Sequence, residues 1–191
     1  MATTDQILET YRALSPEDRH LIQLGAIHHT YFDPADLFEL SNATGFRTAS
    51  GNQLRSVQAI IKRLQDAEFL VEGDENKLCV NSVVEIPAIH DAVREGEFGR
   101  LAAVVRVVRS VRFVYANRDR TMHVRDLRIA FYDGNPEEYR RALSVGNSDF
   151  GPGEAGYVCE LFERDIFDGV PKVVQGLFLI DLVETAVLTA A

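Results

Sequence analysis

A mainly α-helical chain in two parts is the fold class this sequence predicts, and three observations predict it. Apolar residues recur at helical spacing through most of the 191 residues. The period changes clearly once, where Phe69-Leu70-Val71 and Leu78-Cys79-Val80 bracket the turn-forming cluster Glu72-Gly73-Asp74-Glu75-Asn76, a β-hairpin pattern. Beyond Asn81 the pattern is helical to the end. The expected parts are residues 1–82, which contain the hairpin, and residues 83–191, which are all helical.

In chain order, Ile7, Leu8, Tyr11 and Leu14 predict a short amphipathic lead helix. Ser15-Pro16-Glu17-Asp18 supplies a cap, a proline at the first helical position and acids in the first turn, so a second helix runs from about Pro16 to His28. Thr30-Tyr31-Phe32 reads as extended. Asp33-Pro34 starts a third helix through Leu37, Phe38 and Leu40, which Asn42-Ala43-Thr44-Gly45 ends. Apolar positions 54, 57, 60, 61 and 64 define a fourth, polar-faced helix running into the hairpin. Helix, short strand, helix, long helix and hairpin is the element order of a winged helix-turn-helix with a small β-hairpin wing. Its expected core is Leu21, Leu24, Leu37, Leu54, Val57, Ile61, Leu64 and Leu70.

The second part carries a weak repeat. Val93-Arg94-Glu95-Gly96, Tyr132-Asp133-Gly134 and Phe167-Asp168-Gly169 are each an apolar helix end, an acid and a glycine, with the glycines 38 and 35 residues apart. That period suits helical-hairpin repeats, and tight turns in a generic helical bundle would look the same. An irregular loop is expected over Gly146-Asn147-Ser148-Asp149-Phe150-Gly151-Pro152-Gly153. The stretch from Asn81 to Pro87 reads as a short apolar connection, with Pro87 near the next helix start. Residues 172–191 form a last helix with much apolar surface and no cap signal, which suggests a chain cut from a longer protein.

Charge narrows the functional classes. The formal charge is −9 and the isoelectric point is near 5.0, so nucleic acid could be held only by a confined patch. From Phe46 to Arg63 there are four cations and no acid. The candidate nucleic-acid contacts are therefore Arg47, Asn52, Gln53, Arg55, Ser56, Gln58, Lys62 and Arg63, of which the polar uncharged ones could reach base edges and the cations phosphates. Between Arg100 and Arg128 stand eight arginines against two acids. Arg106, Arg109 and Arg112 recur every three residues and form a possible second basic face, suited to phosphate through the guanidinium fork. Pairing of these arginines with Glu97, Glu160, Glu163 or Asp165 is the alternative.

No catalytic constellation is legible. The histidines lack zinc-ligand spacing, and adjacent His28 and His29 point in different directions. Neither Cys79 nor Cys159 has a nearby His, no nucleophile elbow occurs, and Glu137-Glu138 sits where a helix dipole accounts for it. The reading is non-enzymatic, with no metal and no cofactor. Cys79, between Leu78 and Val80, and Cys159, after Val158, suit buried thiols in a reducing cytoplasm. No apolar run of membrane length and no signal-peptide pattern occurs.

Several segments together resemble a known family. Leu14-Ser15-Pro16-Glu17-Asp18-Arg19, Leu64-Gln65-Asp66-Ala67-Glu68-Phe69-Leu70, Val93-Arg94-Glu95-Gly96-Glu97-Phe98 and the run from Leu127 to Tyr139 are similar to the N-terminal accessory region of large bacterial helicase-like ATPases of the Swi/Snf or DEAD/DEAH-box type. The resemblance implies a non-catalytic module ahead of an ATP-driven motor on nucleic acid. The chain has no phosphate-binding loop of its own, so the motor would lie beyond Ala191. The expected role is a nucleic-acid-binding or partner-docking module. The alternatives are a stand-alone winged-helix transcription regulator with a helical dimerisation domain, and a protein-interaction adaptor that never touches nucleic acid.

Overall fold

The computed structural model describes residues 3–47, 54–73, 77–112, 120–149, 158 and 163–189. It is mainly helical, with one small two-stranded antiparallel sheet among the described residues. The chain divides into two compact units, residues 1–116 and 117–191.

The first unit is built round one buried helix. Helix α1 (Thr4–Arg12) opens with a reciprocal cap: Thr3 N–H donates to Gln6 Oε1 (2.9 Å) and Gln6 N–H to Thr3 Oγ1 (3.3 Å). Helix α2 (Pro16–His28) starts on Ser15, whose hydroxyl accepts from Asp18 N–H at 3.2 Å, with Pro16 at the first turn. Every residue from His20 to His28 is buried, because α2 is enclosed by its neighbours. It ends at His29, a left-handed residue with φ 49°. Gly25 is needed where it stands: a Cβ there would lie 2.8 Å from Val80 Cγ2 and 3.2 Å from the Phe32 ring.

Helix α3 (Pro34–Ala43) and helix α4 (Leu54–Asp66) pack together. They lead to strands β1 (Leu70–Glu72) and β2 (Leu78–Val80), paired Leu70↔Val80, Val71↔Cys79 and Glu72↔Leu78. Phe32 joins β2 as an isolated antiparallel bridge, exchanging two 2.9 Å backbone hydrogen bonds with Leu78. Of the expected core, seven residues are buried. Leu54 is the exception, 43% exposed at the start of α4. Cys79 is half-buried, because strand alternation turns Leu78 and Val80 inward and the residue between them outward.

The division between units falls after the next two helices and not at Asn81-Ser82. Asn81 is the N-cap of helix α5 (Ser82–Arg94), accepting from Val83 N–H at 3.0 Å, so the stretch expected as a connection is helix and Pro87 lies inside it. Val84 and Ile86 are buried, and α5 packs against α1, α2 and helix α6 (Phe98–Arg112). Glu95 fastens α5 to α2, taking hydrogen bonds from Arg19 (3.1 Å) and Gln23 (3.0 Å). The apolar surface of α5 and α6 is what makes the first unit larger than the pattern around the hairpin implies.

The second unit contains helix α7 (Arg120–Tyr132), helix α8 (Pro136–Asp149), helix α9 (Arg164–Gly169) and helix α10 (Lys172–Thr189). Phe131 centres an aromatic cluster with Tyr132, Tyr139, Phe167 and Phe178, at 5.2–6.3 Å between ring centroids. Helix α8 continues through Gly146–Asp149, where a loop was expected; the rest of that segment lies outside the described residues.

The three repeat glycines are not equivalent. Gly96 (φ 72°) and Gly134 (φ 71°) close the same turn: Glu97 N–H reaches Ala92 O and Asn135 N–H reaches Ala130 O. Gly169 is the last residue of α9 and has no left-handed φ. A third turn of the same form has Glu68 in the glycine position at φ 61°, with Phe69 N–H on Leu64 O at 2.9 Å.

Candidate nucleic-acid interface on the fourth helix

Helix α4 has two distinct faces. Val57, Ile60, Ile61 and Leu64 are buried, at the spacing that keeps them on one side. Arg55, Gln58, Ala59, Lys62 and Arg63 are exposed, and Ser56 is half-buried. Arg47 is exposed on the segment that follows α3. Asn52 and Gln53 lie outside the described residues.

The four cations differ in how they are held. Among the described residues, Arg47 and Arg55 have no hydrogen-bond or ion-pair partner. Lys62 Nζ is 2.7 Å from Asp66 Oδ1, one helical turn on, with both side chains mostly in solvent. The hydrogen bond that Lys62 donates to Asp66, and the charge of that carboxylate, raise the Lys62 pKa, and Glu72 adds to it. Arg63 Nη2 instead sits 2.6 Å from Asp18 Oδ1, whose side chain is only 10% exposed. It ties α4 to the first turn of α2, a structural role that a count of basic residues misses.

Acids border this face at one end. Asp66, Glu68 and Glu72 are exposed at the end of α4 and on β1, so the field is positive towards Arg55 and negative towards the hairpin. The face can engage an anion at its N-terminal half.

The segment bearing Arg47 is anchored from behind. His20 on α2 stacks on Phe46, with ring centroids 4.0 Å apart and planes 14° apart, and its Nε2 is 3.1 Å from Thr44 Oγ1. Thr44 Oγ1 donates to Ser41 O at 2.7 Å, which leaves Nε2–H as the donor to Thr44. Burial first, and then Arg100, push the His20 pKa down to about 4. Arg100 also donates to Thr44 O at 2.7 Å and pairs with Glu97. The neighbouring histidines serve elsewhere: His28 Nδ1 lies 2.9 Å from Thr30 Oγ1, and His29 pairs with Glu85.

The arginines from 100 to 128 whose side chains are described differ in burial. Arg106 is half-buried on α6; Arg109 and Arg112 lie in the last turns of that helix, and their side chains are outside the described residues. Arg125 and Arg128 on α7 are buried, Arg125 Nε donating to Asp126 Oδ1 at 2.8 Å. Among the described residues, no helix is long and apolar enough to cross a membrane. Scanned against family models, curated proteins and solved structures, the chain finds no match in any of the three.

Proposed function

We propose that the first unit is a winged helix that binds nucleic acid through phosphates at the N-terminal half of α4, with little sequence preference. In this reading α3 and α4 are the helix-turn-helix pair, β1 and β2 the wing, and the Phe32 bridge the third short strand. One observation carries it: Arg47 and Arg55 are exposed and unengaged among the described residues, beside Gln58 and Lys62 on an acid-free stretch. Lys62 is available too, because an exposed one-turn pair such as Lys62–Asp66 is weak and exchanges readily for phosphate. The role is non-catalytic, and the resemblance in the segments Leu14–Arg19, Leu64–Leu70, Val93–Phe98 and Leu127–Tyr139 supports an accessory module of a helicase-like ATPase.

Fluorescence anisotropy with a labelled duplex over a salt series tests it. Binding is expected to be weak, with Kd on the order of 1–100 μM at physiological salt, and the Arg55→Ala/Lys62→Ala variant should flatten the salt slope by about 0.9 per lost phosphate contact. An unchanged affinity and slope in that variant would refute the interface. Absence of any salt-sensitive binding would instead make the exposed face of α4 a protein-docking surface.

A further inference from the structure

Helix α10 is apolar on the side that faces away from its own unit. Val174, Phe178 and Asp181 are buried, while Val173, Leu179, Ile180, Val183, Val187 and Leu188 remain 49–64% exposed. Contiguous exposure on this scale is unusual on a helix unless something covers it.

Four of these six residues, Val173, Ile180, Val183 and Val187, share one stripe with half-buried Gly176. Val173, Gly176, Ile180, Val183 and Val187 follow one another at intervals of three, four, three and four, the spacing of a coiled-coil seam that packs on another helix. Their arrangement is self-complementary about a point between Asp181 and Leu182. An antiparallel copy related by a two-fold axis there brings Ile180 against Val183 and Gly176 against Val187, twice each. Gly176 is a notch in this face: a Cβ built on it meets nothing within 4 Å. The Val187 side chain of a second copy is the knob that fills it.

The uncharged seam permits a second copy there, and its area suits one. On a chain of formal charge −9, two copies repel over most of their surfaces, and the seam itself carries no charged residue, with Glu184 beside it. A lipid surface is the poorer fit, because an interfacial helix wants Lys and Arg flanking its apolar face and α10 has only Lys172 at its first residue. Eighteen residues make a helix about 27 Å long. Two such faces bury on the order of 1,000 Å² between them, the lower bound for a specific association.

We infer that α10 is a self-association helix, pairing antiparallel with α10 of a second copy to give a weak homodimer. The inference goes beyond the nucleic-acid reading and does not depend on it, since no residue is shared. Sedimentation velocity of the full chain should give a monomer–dimer equilibrium with Kd on the order of 10 μM, as expected of a small interface. Val183→Lys should leave a monomer with unchanged circular dichroism, because the side chain is already in solvent. The antiparallel register has its own readout: in a Cys79→Ser/Cys159→Ser background, oxidation of Gly176→Cys/Val187→Cys should cross-link to a covalent dimer, and neither single variant should. A monomer at on the order of 100 μM overturns the inference, as does a dimer that survives Val183→Lys or a cross-link in Val187→Cys alone. A monomer that co-sediments with phosphatidylcholine vesicles also overturns it, and assigns the face to lipid.

Discussion

Acid should loosen the first unit through one histidine. His20 is buried on α2, stacked on Phe46 and donating through Nε2 to Thr44, with the Arg100 guanidinium in its field and Glu97 partly offsetting it. Its pKa in the fold is about 4, against 6.5 for the free side chain. A folded pKa below the unfolded one means that the native state prefers the neutral ring. The stabilisation is therefore complete above pH 6.5 and is lost as pH falls from 6.5 towards 4, where the unfolded chain binds a proton that the fold refuses. At about 1.36 kcal/mol per pH unit, the gap corresponds to roughly 2–4 kcal/mol. Urea titrations at pH 7.5, 6, 5 and 4 should show the wild type losing that amount more than His20→Gln. The amide of Gln can still donate to Thr44 but does not titrate. The imidazole resonances of His20 should report the same low pKa directly. A measured His20 pKa of 6 or above, or a difference between wild type and variant that is flat with pH, would refute the reasoning.

Two further outcomes follow from the packing of α4. Arg63→Ala should destabilise the first unit by about 1 kcal/mol, because it strands the buried Asp18 carboxylate, the figure being small because Arg63 itself is largely in solvent. In the anisotropy assay its salt slope should match the wild type, and a flattened slope would make Arg63 a phosphate contact. Glu68→Gly should raise the melting temperature by relieving a left-handed non-glycine residue, a gain of about 1 kcal/mol. A lowered melting temperature would show that the Glu68 side chain contributes more than its backbone strain costs.

The segments of this chain that could be read directly are those whose cause is local. Ser15 and Pro16 start α2, and Gly96 and Gly134 end their helices, each through bonds that span six residues or fewer. The stripe at 57, 60, 61 and 64 likewise identifies the buried face of α4, since helical periodicity alone puts those side chains together. Leu54 belongs to the same stripe and is nevertheless exposed, because burial at a helix end depends on what packs there.

The candidate site divides the same way. The positive island from Arg47 to Arg63 was legible as composition. That Arg63 is held by Asp18, that His20 and Arg100 fasten the segment bearing Arg47, and that Arg125 and Arg128 are interior are contacts between residues far apart in sequence. Similarly, Asn81 to Pro87 looked like a connection because an apolar stretch with a proline has no periodicity of its own. Only the surface offered by α1, α2 and α6 turns it into the first turns of a packed helix. The sequence by itself determined the first four helices, the Ser15 cap of α2, the glycine turns at 96 and 134 and the hairpin, since their hydrogen bonds close within a few residues. Tertiary structure decided which cations stay free and where the first unit ends, because those depend on burial and ion pairing between segments that meet only when the chain has folded.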